Sequence, residues 1–352
     1  MKTLLALLLL LLLPSCLEID AQDVTLRYDA TADRIDILLV HRGLFAQGSS
    51  GDDKDPLTKA MKDLADVREK GEFVFWSNWP FSVQLTEKHE PPIAALCAHV
   101  DVENGTLFTD PKGVLCGYQF VRIREAKAFL KKVNTLLELA VQAALLRGYE
   151  TRDTKHKFDA DTRDAVREFL RAGEPMLTLS GGRLELRLPL SPADHAWFKQ
   201  QIEQRLLRQL PYEVTQPTVV AGRRASGGSP TETHVLLDET SIAASQLADQ
   251  LGRAASFRFF WDNEFSIART TELTTIGLGL ADSSELHVTK SSDGLYHDLL
   301  LRSLRERGET IEDGLPAAEL GRRFAQFHGR DAVLPPQLAE QRRGAVVAPA
   351  TK

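Results

Sequence analysis

The stretch CAHVDVENGTLFTDPKGVLC, residues 97–116, reads as short strands in close succession. Asn104-Gly105 is a two-residue hairpin signal, because both residues accept positive φ at low cost. Asp110-Pro111-Lys112-Gly113 fits a type I turn, with proline setting φ at the second position. Two reversals so close together require antiparallel pairing, so the stretch predicts a three-stranded meander with a short middle strand at 106–109. Cys97 and Cys116 would then lie on the outer strands, roughly 10 Å apart, beyond the ~7 Å Cα separation a bridge tolerates. Past the end of the short strand the outer strands could close together. The pair therefore reads either as a disulfide or as two buried thiols, and both readings stay open.

Outward from this stretch the chain mixes strand and helix signals without a βαβ rhythm. Residues 24–28 and 35–40 read as strands joined by a polar turn, and 72–76 and 81–85 as two more. A helix is punctuated by Asp55 as N-cap, Pro56 in its first turn and Gly71 just past its end. The longest helix runs from about Arg124 to Arg147, with Phe129, Val133, Leu136, Leu137, Ala140 and Ala144 at helical spacing. Leu130, Val141 and Leu145 widen that stripe, which suits a central core helix; a membrane-binding role is the alternative. Further along, 154–172 holds a short polar helix, and Ser180-Gly181-Gly182 is a hairpin turn between strands at 176–179 and 183–188. Ser191 caps another helix, with Asp194 in the capping-box position. The fold class is α+β: antiparallel sheets with helices packed on them.

Residues 73–86, FVFWSNWPFSVQLT, are echoed at 257–270, FRFFWDNEFSIART. With one residue of slippage Trp76 matches Trp261, Asn78 matches Asn263, Phe81 matches Phe265 and Ser82 matches Ser266. Each copy follows a strand and a helix, which suggests an internal duplication. The expected organisation is an α+β module at 24–150, a middle hairpin–helix unit at 151–211, a second α+β module at 212–328 and a disordered tail at 329–352. A single continuous body is the alternative, since no linker precedes the middle unit. The loop composition of 221–232 suits a linker or a long hairpin tip.

The chain begins MKTLLALLLLLLLPSC. Its apolar run, Leu4 to Leu13, is about half the roughly 20 residues a membrane-spanning helix needs. A basic start, a short apolar block and a small residue before the cut form an export signal. Leu13-Pro14-Ser15-Cys16 resembles the lipobox of bacterial lipoproteins: an aliphatic residue, a tolerant position, a small residue and an invariant cysteine. The resemblance covers residues 1–16 alone. It implies a signal peptide at 1–15, a diacylglyceryl thioether on Cys16 and cleavage that makes Cys16 the new N-terminus. Residues 16–23 would be a lipidated tether, with the body close to the bilayer. The family also implies sorting by the following residue, and Leu17 is not of the inner-membrane retention type, which points by analogy to the outer membrane.

Chemistry-bearing patterns are sparse. With 352 residues, 26% of them charged, and a formal net charge of −6, the chain argues against a nucleic-acid partner. HExxH, CxxC, a Walker-type loop and a Gly-x-Ser-x-Gly elbow are all absent from it. Gly277-Leu278-Gly279 lacks the rest of a dinucleotide fingerprint and reads as strand. Gly51 to Asp55 has oxygen ligands without the spacing of a calcium loop. Asp194-His195 suits a helix first turn better than a catalytic dyad. Neither a catalytic residue nor a metal ligand can be named, and no cofactor is implied. Trp76, Trp79 and Trp261 are the candidates for an aromatic binding surface, Trp79 the one expected to be exposed. The expectation is a noncatalytic, lipid-anchored envelope protein that binds another protein or serves as a scaffold. A small-ligand or glycan binder, and less so an envelope hydrolase, are the alternatives.

Overall fold

A computed structural model of the chain describes residues 17–46, 55–75, 81–85, 89, 91–146, 157–205, 258–261, 265–270, 272–280, 284–289 and 297–329. Two long strands, β1 (Leu17–Asp29) and β2 (Arg34–Ala46), pair antiparallel from Leu17↔Ala46 to Asp29↔Arg34. The turn between them is held by the Asp29 carboxylate, which accepts the N–H groups of Thr31 and Ala32. β2 pairs in turn with β7 (Leu115–Arg124). On its other edge β1 pairs with β13 (Ser284–Thr289), beyond which runs β10 (Arg258–Trp261). The far edge of β7 carries β5 (Val100–Asn104) and β6 (Leu107–Thr109), and β14 (Ile311–Glu312) joins β6 in parallel. A second antiparallel sheet has the order β11 (Phe265–Arg269), β12 (Thr274–Gly279), β9 (Arg183–Leu188), β8 (Leu177–Ser180). β3 (Glu72–Phe75) and β4 (Phe81–Gln84) form a two-stranded ribbon.

Seven helices accompany these sheets among the described residues: α1 (Pro56–Glu69), α2 (Pro91–Cys97), α3 (Ala126–Leu146), α4 (Ala160–Ala172), α5 (Pro192–Arg205), α6 (His297–Glu306) and α7 (Ala317–His328). The protein is α+β, as the sequence pattern indicates. Asp55 caps α1 through its carboxylate, Pro56 opens it, and Gly71 takes φ +59° beyond its end. Gly181 and Gly182, both at positive φ, form the two-residue turn between β8 and β9.

Strand alternation sorts the main sheet into two covered faces. On one, Ile35, Ile37, Leu39 and Val121 pack with Leu85, Cys97 and Ala126, under α2 and the start of α3. The same side continues through Leu17, Ile19, Leu44, Leu107 and Leu115, which are covered by Ala60, Met61 and Leu64 of α1 and Leu300 and Leu304 of α6. On the opposite face Leu38, Val40, Cys116, Tyr118 and Phe120 meet Leu320, Phe324 and Phe327 of α7. Two buried glutamines fasten the β3–β4 ribbon. Gln22 Nε2 donates to Val74 O at 3.1 Å, Val74 N donates to Gln119 Oε1 at 3.2 Å, and Gln119 Nε2 donates to Glu72 O at 2.7 Å. Their amides replace the neighbouring strand that β3 lacks on that side. Asn134 of α3 does the same for β8, exchanging both hydrogen bonds with the Leu177 backbone at 2.7 and 2.8 Å.

Several expectations are corrected. Residues 97–116 form no meander, because β5 and β6 follow one another along a single edge of β7. The register passes from Asn104↔Gln119 to Phe108↔Cys116, so one extra residue is bulged out between them. Gly105 N donates to Tyr118 O at 2.8 Å, and a Cβ on Gly105 would collide with the Tyr118 ring. The glycine serves close packing rather than a reversal. The second turn is present: Gly113 N bonds Asp110 O, and Gly113 has φ +83°. The tether expected at 16–23 is strand β1 from Leu17 onward, with Leu17 and Ile19 fully buried. Strands of the two expected modules share the main sheet, and β12 of the second module pairs with β9 of the middle unit. The echoed segments also pair differently. β3 and β4 pair with each other, whereas β10 and β11 lie in different sheets. The tail from 330 and the loop 221–232 lie outside the described residues.

Candidate functional site

Charged residues flanked by β-branched neighbours occur once in each of three strands: Asp36 between Ile35 and Ile37, Asp101 between Val100 and Val102, and Arg122 between Val121 and Ile123. The register brings them into one row. Arg27↔Asp36, Asp36↔Arg122 and Asp101↔Arg122 are successive cross-strand partners, giving alternating charges across β1, β2, β7 and β5. Asp36, Arg122 and Asp101 are buried. Arg122 grips Asp36 with two prongs, Nε to Oδ1 at 2.6 Å and Nη2 to Oδ2 at 3.2 Å. Asp101 meets Arg124 Nε at 3.0 Å.

The last turn of α7 closes over this row. His328 Nδ1 lies 2.7 Å from Asp36 Oδ2. Arg122 Nη2 donates to Phe327 O at 2.9 Å, and its guanidinium lies 4.7 Å from the Phe327 ring centroid. Arg34 Nη2 donates to His328 O at 2.5 Å, while Arg27 sits 5.5 Å from the centroid of the Phe324 ring. Two arginines thus satisfy the terminal carbonyls of α7 and complement the negative end of its dipole. The Ala32 N–H, with smaller help from Thr31 and Arg34, holds the nearby Asp29 carboxyl below the usual carboxylate range. An Asp–His pair of this kind can orient an imidazole for proton transfer. Here the Asp36 carboxylate is also neutralised by Arg122, and no hydroxyl or thiol among the described residues bonds His328. The arrangement fastens α7 to the sheet.

A second buried polar cluster joins α4 and α5 at their N-termini. Asp159 caps α4 by accepting Thr162 N at 2.7 Å, and Ser191 caps α5 by accepting Asp194 N at 3.1 Å. The reciprocal bonds of the two capping boxes are exchanged. Asp194 accepts the Asp159 N–H at 3.0 Å, Thr162 Oγ1 accepts the Ser191 N–H at 2.8 Å, and Ser191 Oγ donates to Asp159 at 2.5 Å. Although burial works to raise it, hydrogen bonds from Ser191 and Thr162 hold Asp159 below its usual range. Asp194 is thereby committed to α4, and His195 instead meets Thr274 Oγ1 at 2.9 Å. Burial pushes His195 below the ordinary histidine range.

Of the residues singled out from sequence, Cys97 and Cys116 are buried thiols that no disulfide joins. They lie on opposite faces of the main sheet, Cys97 at the end of α2 on one face and Cys116 under α7 on the other, so of the two open readings the structure has the buried thiols and not the disulfide. Burial pushes the Cys116 thiol up to about 11. Trp261 ends β10, opposite Leu286 of β13. Trp76, Trp79 and Cys16 lie outside the described residues, as do Gly51 to Lys54. Gly277 stands in β12, where a Cβ would collide with the Arg183 guanidinium that reaches across it to Ser266. Among the described residues no cluster of His, Cys, Asp and Glu is arranged to hold a metal ion, and no helix is long and apolar enough to cross a membrane. Sequence reasoning missed the Asp36–Arg122–His328 centre. Its signal was a lone charge in each of several apolar strands, but the pairing that joins them is not local. No protein-family model matches the chain, and no curated protein or solved structure is similar enough to count as a relative.

Proposed function

We propose that the chain is an exported lipoprotein, held at a bacterial membrane through Cys16, whose α+β body is a noncatalytic platform for another envelope protein. The observation that carries this reading is a junction. The lipobox-like Leu13-Pro14-Ser15-Cys16 ends one residue before β1, whose first residue, Leu17, is buried against Ala60, Leu64 and Leu300. An acylated Cys16 would be joined directly to a long strand of the main sheet, with no spacer. The reading also draws on the Asp36–Arg122–His328 centre, whose charges are spent on holding a helix.

The test is fatty-acid labelling of the expressed protein beside a Cys16→Ala variant, with membrane fractionation of both and crosslinking in intact cells. Label and membrane retention on the wild type alone, with one envelope protein recovered repeatedly by crosslinking, are the expected results. A wild-type chain that takes no label and fractionates as soluble overturns the anchoring. A labelled protein that crosslinks to nothing, and loses no phenotype on substitution of its exposed faces, overturns the platform reading.

A further inference from the structure

We propose that the end of the main sheet at which β1 begins is a membrane-contact face that rests on phospholipid; the inference depends on acylation of Cys16. With Leu17 buried in β1, a lipid on Cys16 can stand off from the fold by little more than the ~3.5 Å reach of one residue. Whatever surface surrounds Leu17 must therefore lie at headgroup level.

The register identifies that surface. Arg42↔Cys116 sets Leu115 beside Gly43, so the tip Pro111 to Val114 projects alongside the last residues of β2, which are paired with Leu17 to Ile19. β7 is two strands from β1, roughly 10 Å at ordinary strand spacing. All four tip residues are exposed. The tip is also stiff: Asp110 Oδ1 accepts the N–H groups of both Lys112 and Val114, each at 2.9 Å, and Gly113 N bonds Asp110 O. Val114 is 36% exposed and Leu299 41%, and among the described residues they are the exposed large apolar side chains. Val114 precedes Leu115, and Leu299 precedes Leu300; both of those leucines pack in the cluster that buries Leu17. Lys112 has no ion-pair partner among the described residues and can meet lipid phosphate. A cation flanked by proline and valine on a rigid turn suits the boundary between headgroup and acyl chain.

The opposite end of the sheet differs in kind. There the β1–β2 turn, Arg34, Arg124 and the end of α7 present charges locked to one another. Along β1 and β2 the two ends stand about 40 Å apart at ~3.3 Å per residue.

The experiment uses the acylated full-length protein in vesicles of phosphatidylcholine and phosphatidylglycerol. A polarity-sensitive fluorophore is placed at Val114→Cys, at Leu299→Cys and, as the far-end reference, at Thr31→Cys; Cys97 and Cys116 are buried and stay unlabelled. Quenching by lipids spin-labelled near the headgroup is measured, and mass spectrometry reports the lipid on Cys16. The expected result is quenching several-fold stronger at 114 and 299 than at 31. Equal quenching at all three positions, with the lipid present on Cys16, overturns the contact face and leaves the anchoring intact. Absence of the lipid overturns both.

Discussion

Asp36 sits between Arg122 and His328 with no exposure to solvent, so its charge is the counter-ion on which both depend. Removing it leaves a buried guanidinium uncompensated. Asp36→Ala should cost about 3–5 kcal/mol by urea denaturation, and the Asp36→Leu/Arg122→Met pair markedly less than the two single losses combined. His41 makes a different prediction. Burial holds its pKa at about 4, against 6.5 for the free side chain, and Gln22 Nε2 donates to its Nδ1 at 3.1 Å. The unfolded chain therefore binds a proton near pH 6.5 that the folded chain accepts only near pH 4. This contribution is complete above pH 6.5 and is lost as pH falls toward 4, by up to about 3 kcal/mol at ~1.4 kcal/mol per unit. His41→Gln should flatten that limb of the urea midpoint against pH; an unchanged slope would remove His41 as its source.

The α4 and α5 termini show what elements gain from one another. Each helix supplies the acceptor that completes the other's first turn, so neither start is fully satisfied alone. Ser191→Ala and Asp159→Ala should each cost about 1 kcal/mol. Because the two side chains also bond each other, the double variant should cost less than their sum; strict additivity in a denaturation cycle would show the helices to be independent. The caps themselves were legible: Asp55, Ser191 and the glycines at 71, 181 and 182 carry local signals that the structure uses. The exchange of acceptors was not legible, since nothing in residues 191–194 says that Asp194 will turn to Asp159. Asn104-Gly105 failed for a related reason. The pair has a local hairpin preference, but Asn104 Oδ1 accepts from Gln119 Nε2 at 2.8 Å, and Tyr118 occupies the space beside Gly105. Long-range packing decides such positions, and a window of a few residues carries no trace of it.

For the whole molecule, the two faces of the main sheet make a thiol count decisive. Cys97 and Cys116 are separated by the sheet itself, and Cys116 is held as a neutral thiol by burial. A thiol reagent at pH 8 should find neither in the native protein, and both in denaturant if Cys16 carries its lipid. A count of zero in denaturant would mean a bridge had formed and the faces are misassigned. β1 also occupies an interior place in the sheet, between β2 and β13, although it is the first of the described strands. Its second neighbour is made only near the other end of the chain, and β14 and α7, which finish the edge and cover one face, come later still. A chain threaded N-terminus first through a narrow pore would thus lack the segments that complete β1 until nearly all of it had passed. If the chain is exported as proposed, this lateness of closure would keep the polypeptide in a threadable state until it had crossed, and the fold would lock only on the far side of the membrane.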